Sequence, residues 1–285
     1  MGTTVIKSYA KINICLNVGN KRKDGYHELD MVMLPIELHD SILISKEKRN
    51  AKDHFITIDD FSISADKYNT VAQAIDKLQK KYNFDDLFTI FVHKNIPIQA
   101  GLGGGSSNAA FTVKGINKIL KLGASDDELR TICEKLGGDV PFFIDCKPSR
   151  CQGIGEKCSP IEVKNDYYVL IVKPKQGCST KDVYRVGDEL ELDTYDVDKV
   201  IECLKEGNDD ELVKYIGNAL EKPALTFVPE IETIKEKLKA FGLKIVLMSG
   251  SGSSVFALST DKKLINNAFK EIQGDYTVIK TKVLK

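Results

Sequence analysis

The 285-residue sequence has no net charge: 41 lysines and arginines balance 41 aspartates and glutamates, which removes any global electrostatic case for binding nucleic acid or an anionic membrane. It has no apolar run approaching the ~20 residues that span a bilayer. Its first stretch, MGTTVIKSYAKINICLNV, is interrupted by Lys7 and Lys11 and so lacks the continuous apolar segment of a secretory signal. A cytoplasmic location is expected. No CxxC pair occurs among the seven cysteines, and an odd number cannot all pair within one chain, so reduced thiols are expected. Cys151 and Cys158 are near each other but have no histidine partner nearby, which argues against a zinc site. Low-complexity tracts and repeats with a period of roughly 20 to 50 residues are also missing, which excludes solenoids and arrays.

What is present is enough apolar material for a real core. Hydrophobic residues make up 42% of the chain, and its length suits two domains of ~100 to 200 residues each. Strand and helix signals alternate, predicting a mixed α+β fold. Residues 5–18, 31–45 and 87–93 read as strands. Val71, Ala74, Ile75 and Leu78 fall on one helical face, with Asn69 and Thr70 as candidate caps. A second helix is predicted over 126–136, where Ser125 and Glu128 have capping-box spacing. Beyond the apolar strand 167–174, helical patterns cover 196–205, 210–220 and 229–240, and strands are predicted at 244–247, 255–258 and 277–280. We divide the chain into domains 1–158 and 159–285.

The most informative segment is PIQAGLGGGSSNAAF, residues 97–111, which follows a strand pattern and opens a helical one. Gly101, Gly103, Gly104 and Gly105 remove every β-carbon that would hold the backbone away from an anion, and they permit the positive φ angles that turn successive N–H groups inward. A helix starting at 106–108 adds its positive dipole end to the same place. The pattern is neither a P-loop, which needs Gly-Lys-Ser/Thr, nor a dinucleotide GxGxxG followed by an acidic residue. An anion-binding turn and a close-packed structural turn both remain open on these residues alone.

This segment resembles the phosphate loop of the GHMP kinase superfamily. AKIN at 10–13, DGYH at 24–27, LGGDVPF at 136–142, GIGE at 153–156 and MSGSGS at 248–253 narrow the resemblance to the member acting on a cytidine-bearing intermediate of the non-mevalonate isoprenoid pathway. It implies a two-domain GHMP kinase fold, with an N-terminal domain like ribosomal protein S5 and a ferredoxin-like C-terminal domain. The implied cofactors are ATP and Mg²⁺, with the metal ligands unassigned. The implied substrate is a cytidine-diphosphate-linked methylerythritol phosphorylated on its 2-hydroxyl, with no nucleic-acid or membrane partner, in a monomer or weak homodimer. Another small-molecule kinase of the superfamily and a non-catalytic nucleotide-binding relative are the alternatives.

The resemblance also assigns residues. Asp139 would accept the hydroxyl proton while Lys11 orients it and stabilises developing charge. The bland alternative for Asp139 is a turn residue after a Gly-Gly break. ATP would be held by Asn69, Lys94, Pro97, Ala100, Gly101, Leu102, Gly103, Gly104, Gly105, Ser106, Ser107 and Asn108, with either Ser106 or Ser107 facing the metal. The cytidine would stack between Tyr26 and Tyr184, at about 1 to 3 kcal/mol per base. His27 would hydrogen-bond the base, and Asn13 and Thr180 the remainder of the substrate. SGSGSS at 249–254 reads as a cleft wall or as a tight hairpin.

Overall fold

The computed structural model describes residues 2–47, 53–272 and 274–285. Two compact units interleave along the sequence. One comprises Met1–Ala10, Leu38–Ile96 and Gly103–Cys146, the other Lys11–Glu37, Pro97–Leu102 and Lys147–Lys285.

The first unit contains the start of β1 (Thr3–Lys21), the end of β2 (His27–Lys46), β3 (Phe55–Ile58) and β4 (Phe88–His93), with helix α1 (Thr70–Tyr82) between the last two. Residues 41–46 of β2 run antiparallel to β4, and β3 lies parallel to β4 at the sheet edge. Helices α2 (Gly104–Leu120), α3 (Asp126–Glu134) and α4 (Phe142–Asp145) follow. Helix α1 forms where the apolar spacing predicts: the Asn69 side chain accepts from Val71 N at its start, Asn83 closes it in a left-handed conformation, and Val71, Ala74, Ile75 and Leu78 are buried. Burying each of the larger three contributes about 1.5–3 kcal/mol. The capping box at α3 is present as predicted, Ser125 and Glu128 exchanging both bonds. Helix α2 begins earlier than predicted, with Gly103 as its left-handed N-cap. It also packs closely, since a β-carbon on Gly115 would lie 2.5 Å from Ile44 and 2.8 Å from Ile6.

In the second unit, β5 (Ser149–Gly153) pairs antiparallel with residues 29–33 of β2 and with β6 (Lys157–Pro160). That hairpin sets Cys151 opposite Cys158 with their Cα atoms 4.1 Å apart, and the sulfurs are bonded. The expectation of reduced thiols is therefore corrected for this pair, because strand register brings together two cysteines that sequence spacing alone does not. The remaining elements are β7 (Tyr168–Pro174), α5 (Thr180–Gly187), α6 (Val197–Glu206), α7 (Asp209–Leu212), β8 (Gly217–Asn218), α8 (Glu221–Leu225), α9 (Glu230–Ala240), β9 (Ile245–Met248), β10 (Val255–Ser259), α10 (Lys262–Glu271) and β11 (Tyr276–Lys282). An antiparallel sheet in the order β11-β7-β10-β9 gives the β-α-β-β-α-β arrangement of a ferredoxin-like layer. Its interior strand β7 buries Val169, Leu170, Ile171 and Val172 completely, hence the unbroken apolar run.

The helix expected over 210–220 is not formed. After the single turn of α7, the chain turns into β8, which pairs parallel with β1 through Cys15–Gly217 and Leu16–Asn218. Tertiary contacts override the helical pattern: the Asn218 amide donates to the Met248 and Gly250 carbonyls at 2.8 Å each, and Gly217 lies so close to Tyr195 that a β-carbon would sit 2.0 Å from its ring.

Candidate functional site

In the first unit the site is organised around the start of α2. The left-handed Gly103 turns the chain into the helix, and Ser107 N donates back to Gly103 O at 2.9 Å, so the N–H groups of 104–106 precede the helical ladder. Such groups at a helix start favour an anion. Beside them, a β-carbon on Gly104 would lie 3.1 Å from Ile96 Cγ2 and 3.2 Å from the Lys94 ammonium, so the glycine leaves room for both side chains at the helix start.

Lys94, expected among the residues holding ATP, is almost buried and paired with the fully buried Asp40. Asp40 also accepts from Asn108 Nδ2 at 2.9 Å and from the backbone N–H groups of Asn95 and Ile96 at 2.8 Å each. Asn108 in turn accepts from Lys94 at 3.2 Å and donates to Ser8 Oγ at 2.9 Å. A buried carboxylate satisfied on this many sides is a fixed counter-charge that sets where the amine points. Sequence reasoning missed Asp40, one of two acids inside the otherwise apolar strand pattern 31–45.

Of the two serines, Ser107 is buried, donates to Tyr9 O at 2.6 Å and lies 2.7 Å from Ser8 Oγ. Ser106 is half-buried. Asn69 holds the head of α1 with one side of its amide and donates to Ser64 O with the other at 2.7 Å, while Thr70 donates to Gly105 O at 3.1 Å. Asp139 lies half-buried in the turn between α3 and α4, where Gly137 adopts a positive φ and Val140 N donates to Gly137 O.

The second unit holds residues 97–102, packed on the small-residue turn 249–254. Ser249 Oγ donates to Gly101 O at 3.0 Å, and the Ser253 and Ser254 N–H groups reach Gln99 O and Ala100 O at 3.3 Å. The SGSGSS turn therefore does more than close the β9–β10 hairpin. Lys11 N donates to Leu102 O at 3.0 Å, and its nearly buried ammonium donates to Asn13 Oδ1 at 2.7 Å. Gly250 has a φ of +53°, and a β-carbon on it would lie 3.0 Å from Gly101 O and 3.2 Å from that ammonium, so backbone and amine both crowd this position. Asn13 is fully buried, its amide also directed at Met31 Sδ, and Thr180 Oγ1 lies 2.9 Å from Ser251 Oγ.

The same unit contains a cavity of ≈ 500 Å³, lined among others by Val18, Lys21, His27, Tyr184, Asp188 and Leu220. His27 and Tyr184 stack with ring centroids 5.3 Å apart and planes at 29°. His27 Nε2 lies 2.6 Å from Asp188 Oδ1, and Lys21 pairs with the same carboxylate. The Lys21 hydrogen bond, with a further one from His27, holds the Asp188 carboxyl below the usual carboxylate range. Tyr26 is not brought together with these residues: it is 59% exposed and lies outside the cavity lining, its backbone N–H bonded to Asp24. Lys21 and Asp188 were not anticipated, although Asp188 stands one helical turn beyond Tyr184.

Among the described residues, no group of three His, Cys, Asp or Glu side chains is placed to hold a metal ion, and no helix is long and apolar enough to cross a membrane. Mg²⁺ in phosphoryl-transfer sites is bound largely by phosphates and water with few protein ligands, so a hydroxyl at the α2 start fits such an ion.

Comparison with known proteins covers both units. The family model described as GHMP kinases N terminal domain matches residues 69–146, and that described as GHMP kinases C terminal matches residues 200–277. The chain is 37% identical over 275 residues to a 4-diphosphocytidyl-2-C-methyl-D-erythritol kinase of Geobacillus sp. (strain WCH70), spanning 95% of this chain and 93% of that one. It is 39% identical over 259 residues to the protein of that name from Clostridium botulinum (strain Hall), spanning 90% of each. A crystal structure of 4-(cytidine 5'-diphospho)-2C-methyl-D-erythritol kinase matches with a TM-score of 0.80 at 26% identity, over 98% of this chain and 99% of the other. Homoserine kinase from Cytophaga hutchinsonii matches with a TM-score of 0.73 at 16% identity, over 99% and 95%, a likeness of fold alone.

Proposed function

Because the chain belongs to the 4-diphosphocytidyl-2-C-methyl-D-erythritol kinase family of GHMP kinases, we propose that it transfers the γ-phosphoryl group of ATP to the 2-hydroxyl of 4-diphosphocytidyl-2-C-methyl-D-erythritol, a step of the non-mevalonate isoprenoid pathway. The observation that carries this reading is identity of 37% or more to proteins of that name over at least nine-tenths of both chains. The two matched family segments fall on either side of residue 158, the division taken in this reading between an ATP-binding domain 1–158 and a second domain 159–285, although the compact units interleave across it.

In this reading the N–H groups at the start of α2 and the Lys94 ammonium bind phosphate oxygens, while Asn69 borders the adenine. Pro97 to Asn108 forms the nucleotide loop. Phosphoryl transfer needs positioning and charge neutralisation more than covalent chemistry from the protein. Asp139 takes the proton of the 2-hydroxyl as its oxygen bonds to the γ-phosphorus and the bond to ADP breaks; Lys11 stabilises the negative charge that develops. Mg²⁺ would neutralise charge on the β- and γ-phosphates. Ser106 is the protein hydroxyl we assign to it, since the Ser107 hydroxyl is engaged by Tyr9 and Ser8. The cavity lined by His27 and Tyr184 takes the cytidine against Tyr184, with Asn13 and Thr180 toward the remainder.

The test is ADP release from Mg-ATP by the purified protein, comparing the cytidylyl substrate with mevalonate, homoserine and galactose. Turnover on the cytidylyl substrate alone is expected. Turnover on another acceptor would overturn the substrate, and ATP binding without turnover on any of them would overturn the enzymatic reading.

A further inference from the structure

Tyr184 and Asp188 are four residues apart, Tyr184 within α5 and Asp188 as its C-cap, so they project from one face of the same helical turn. Both engage the ring of His27. Tyr184 stacks on it at 5.3 Å, and Asp188 Oδ1 meets its Nε2 at 2.6 Å. The imidazole is thus fixed in plane and in rotation, with only 10% of its side chain exposed.

An ionised carboxylate can only accept, so the Nε2 that faces Asp188 carries the hydrogen. In the neutral ring Nδ1 is then left with its lone pair, an acceptor and not a donor. The ion pair from Lys21 to Asp188 secures that arrangement by keeping the carboxylate charged. Among the described residues the ring makes no other side-chain hydrogen bond, and it forms part of the wall of the ≈ 500 Å³ cavity. Cytosine and uracil differ at N3, an acceptor in cytosine and an N–H donor in uracil, and at the 4-position, where cytosine offers an amino donor and uracil a carbonyl acceptor. An acceptor held rigidly at that position pairs with the first and is left facing a like lone pair by the second. A buried polar group left unpaired in this way is how sites reject near-isosteres.

We propose that Asp188 is a positioning residue that holds His27 in the Nε2–H form, so that Nδ1 selects a cytosine over a uracil in the nucleotide part of the acceptor. This rests on the cytidylyl-kinase reading above.

The test measures kcat/KM for the cytidylyl substrate and for its uridylyl counterpart in the wild type, D188N and D188L, with folding checked by thermal melting. The wild type is expected to prefer the cytidylyl substrate by about 10- to 100-fold, as a single base-edge discrimination gives. D188L should lose most of that ratio. D188N, whose amide oxygen can still accept from Nε2, should retain it. A D188L enzyme whose turnover falls equally on both substrates, leaving the ratio intact, would overturn the proposal, as would a wild type that does not discriminate. Nitrogen-15 spectra of the His27 ring in the substrate-free protein give an independent readout. A protonated Nδ1 with a bare Nε2 would overturn the positioning role whatever the activity, whereas absence of turnover with both substrates would sink the kinase reading while the spectra still decide the tautomer.

Discussion

Gly101 stands so close to Ser249 that a β-carbon on it would lie 1.8 Å from the Ser249 carbonyl oxygen and 2.8 Å from the carbonyl carbon. Its φ of +71° would also strain any side chain. Both partners are backbone, so neither can swing away. Gly101→Ala is expected to destabilise the protein by about 2–4 kcal/mol, combining left-handed strain with overpacking. Gly25→Ala is the control: φ is +88° there, yet nothing lies within 4 Å of the added carbon, so only strain of about 1 kcal/mol remains. Urea denaturation of both variants separates the two contributions, and equal losses would show that contact with Ser249 is unimportant.

The buried pair of Asp40 and Lys94 is expected to respond asymmetrically to mutation. Asp40→Ala strands the ammonium and the N–H groups of Asn95 and Ile96, at about 3–5 kcal/mol. Replacing both members together, Asp40→Leu with Lys94→Met, removes the unpaired charge and should recover a large part of that stability. If Lys94 works on the nucleotide, the double variant will melt nearer the wild type yet show a raised KM for ATP. Recovery of both properties would reduce Lys94 to a structural role.

Much of this is legible in the sequence where one local pattern decides one element. The apolar spacing of Val71, Ala74, Ile75 and Leu78 requires a helix, and the unbroken run in β7 requires a strand buried on both faces. Motif resemblance reaches further and proposes roles for Lys11, Asp139 and the glycine loop. What escapes is whatever depends on distant partners. The Cys151–Cys158 bond follows from hairpin register, β8 from amide bonds to the 248–250 turn, and Asp188 from a histidine 161 residues away. Helix α10 escapes for a different reason: its buried residues are only Ile265 and Ala268, too few for a clear periodic signal.

Two buried thiols set a pH dependence. Cys15 is pushed up to about 12 by burial, reinforced by the negative charges of Asp30 and Asp196, and Cys133 is pushed up to about 12 by burial, with Glu134 adding to it. A raised folded-state pKa means that the folded form keeps its proton while the unfolded thiol, near 8.5, loses it. The stability contribution is therefore fully present below about pH 8.5 and is lost as pH rises toward about 12. Chemical denaturation at pH 8 and pH 10 should show a falling midpoint, flattened in Cys15→Ala and Cys133→Ala. At pH 8 neither thiol should react with iodoacetamide in the native protein, since the thiolate is the nucleophile. Rapid native alkylation of either would contradict its placement.

Asp139 carries the sharpest mechanistic expectation, because its two readings predict different kinetics. As a turn residue it would matter through stability: Asp139→Asn keeps the size and an oxygen acceptor, turns accept either residue, and turnover per folded molecule would hardly change. As the group that accepts the hydroxyl proton it would matter only in the transition state, where an amide cannot take a proton. Asp139→Asn should then lower kcat by ~10² or more with ATP binding nearly unchanged, the signature of an interaction made after the ground state. ATP affinity measured by calorimetry and single-turnover rates on the cytidylyl substrate separate these outcomes. Retained turnover would remove Asp139 from the chemistry and leave Lys11, held by Asn13, to account for activation of the hydroxyl.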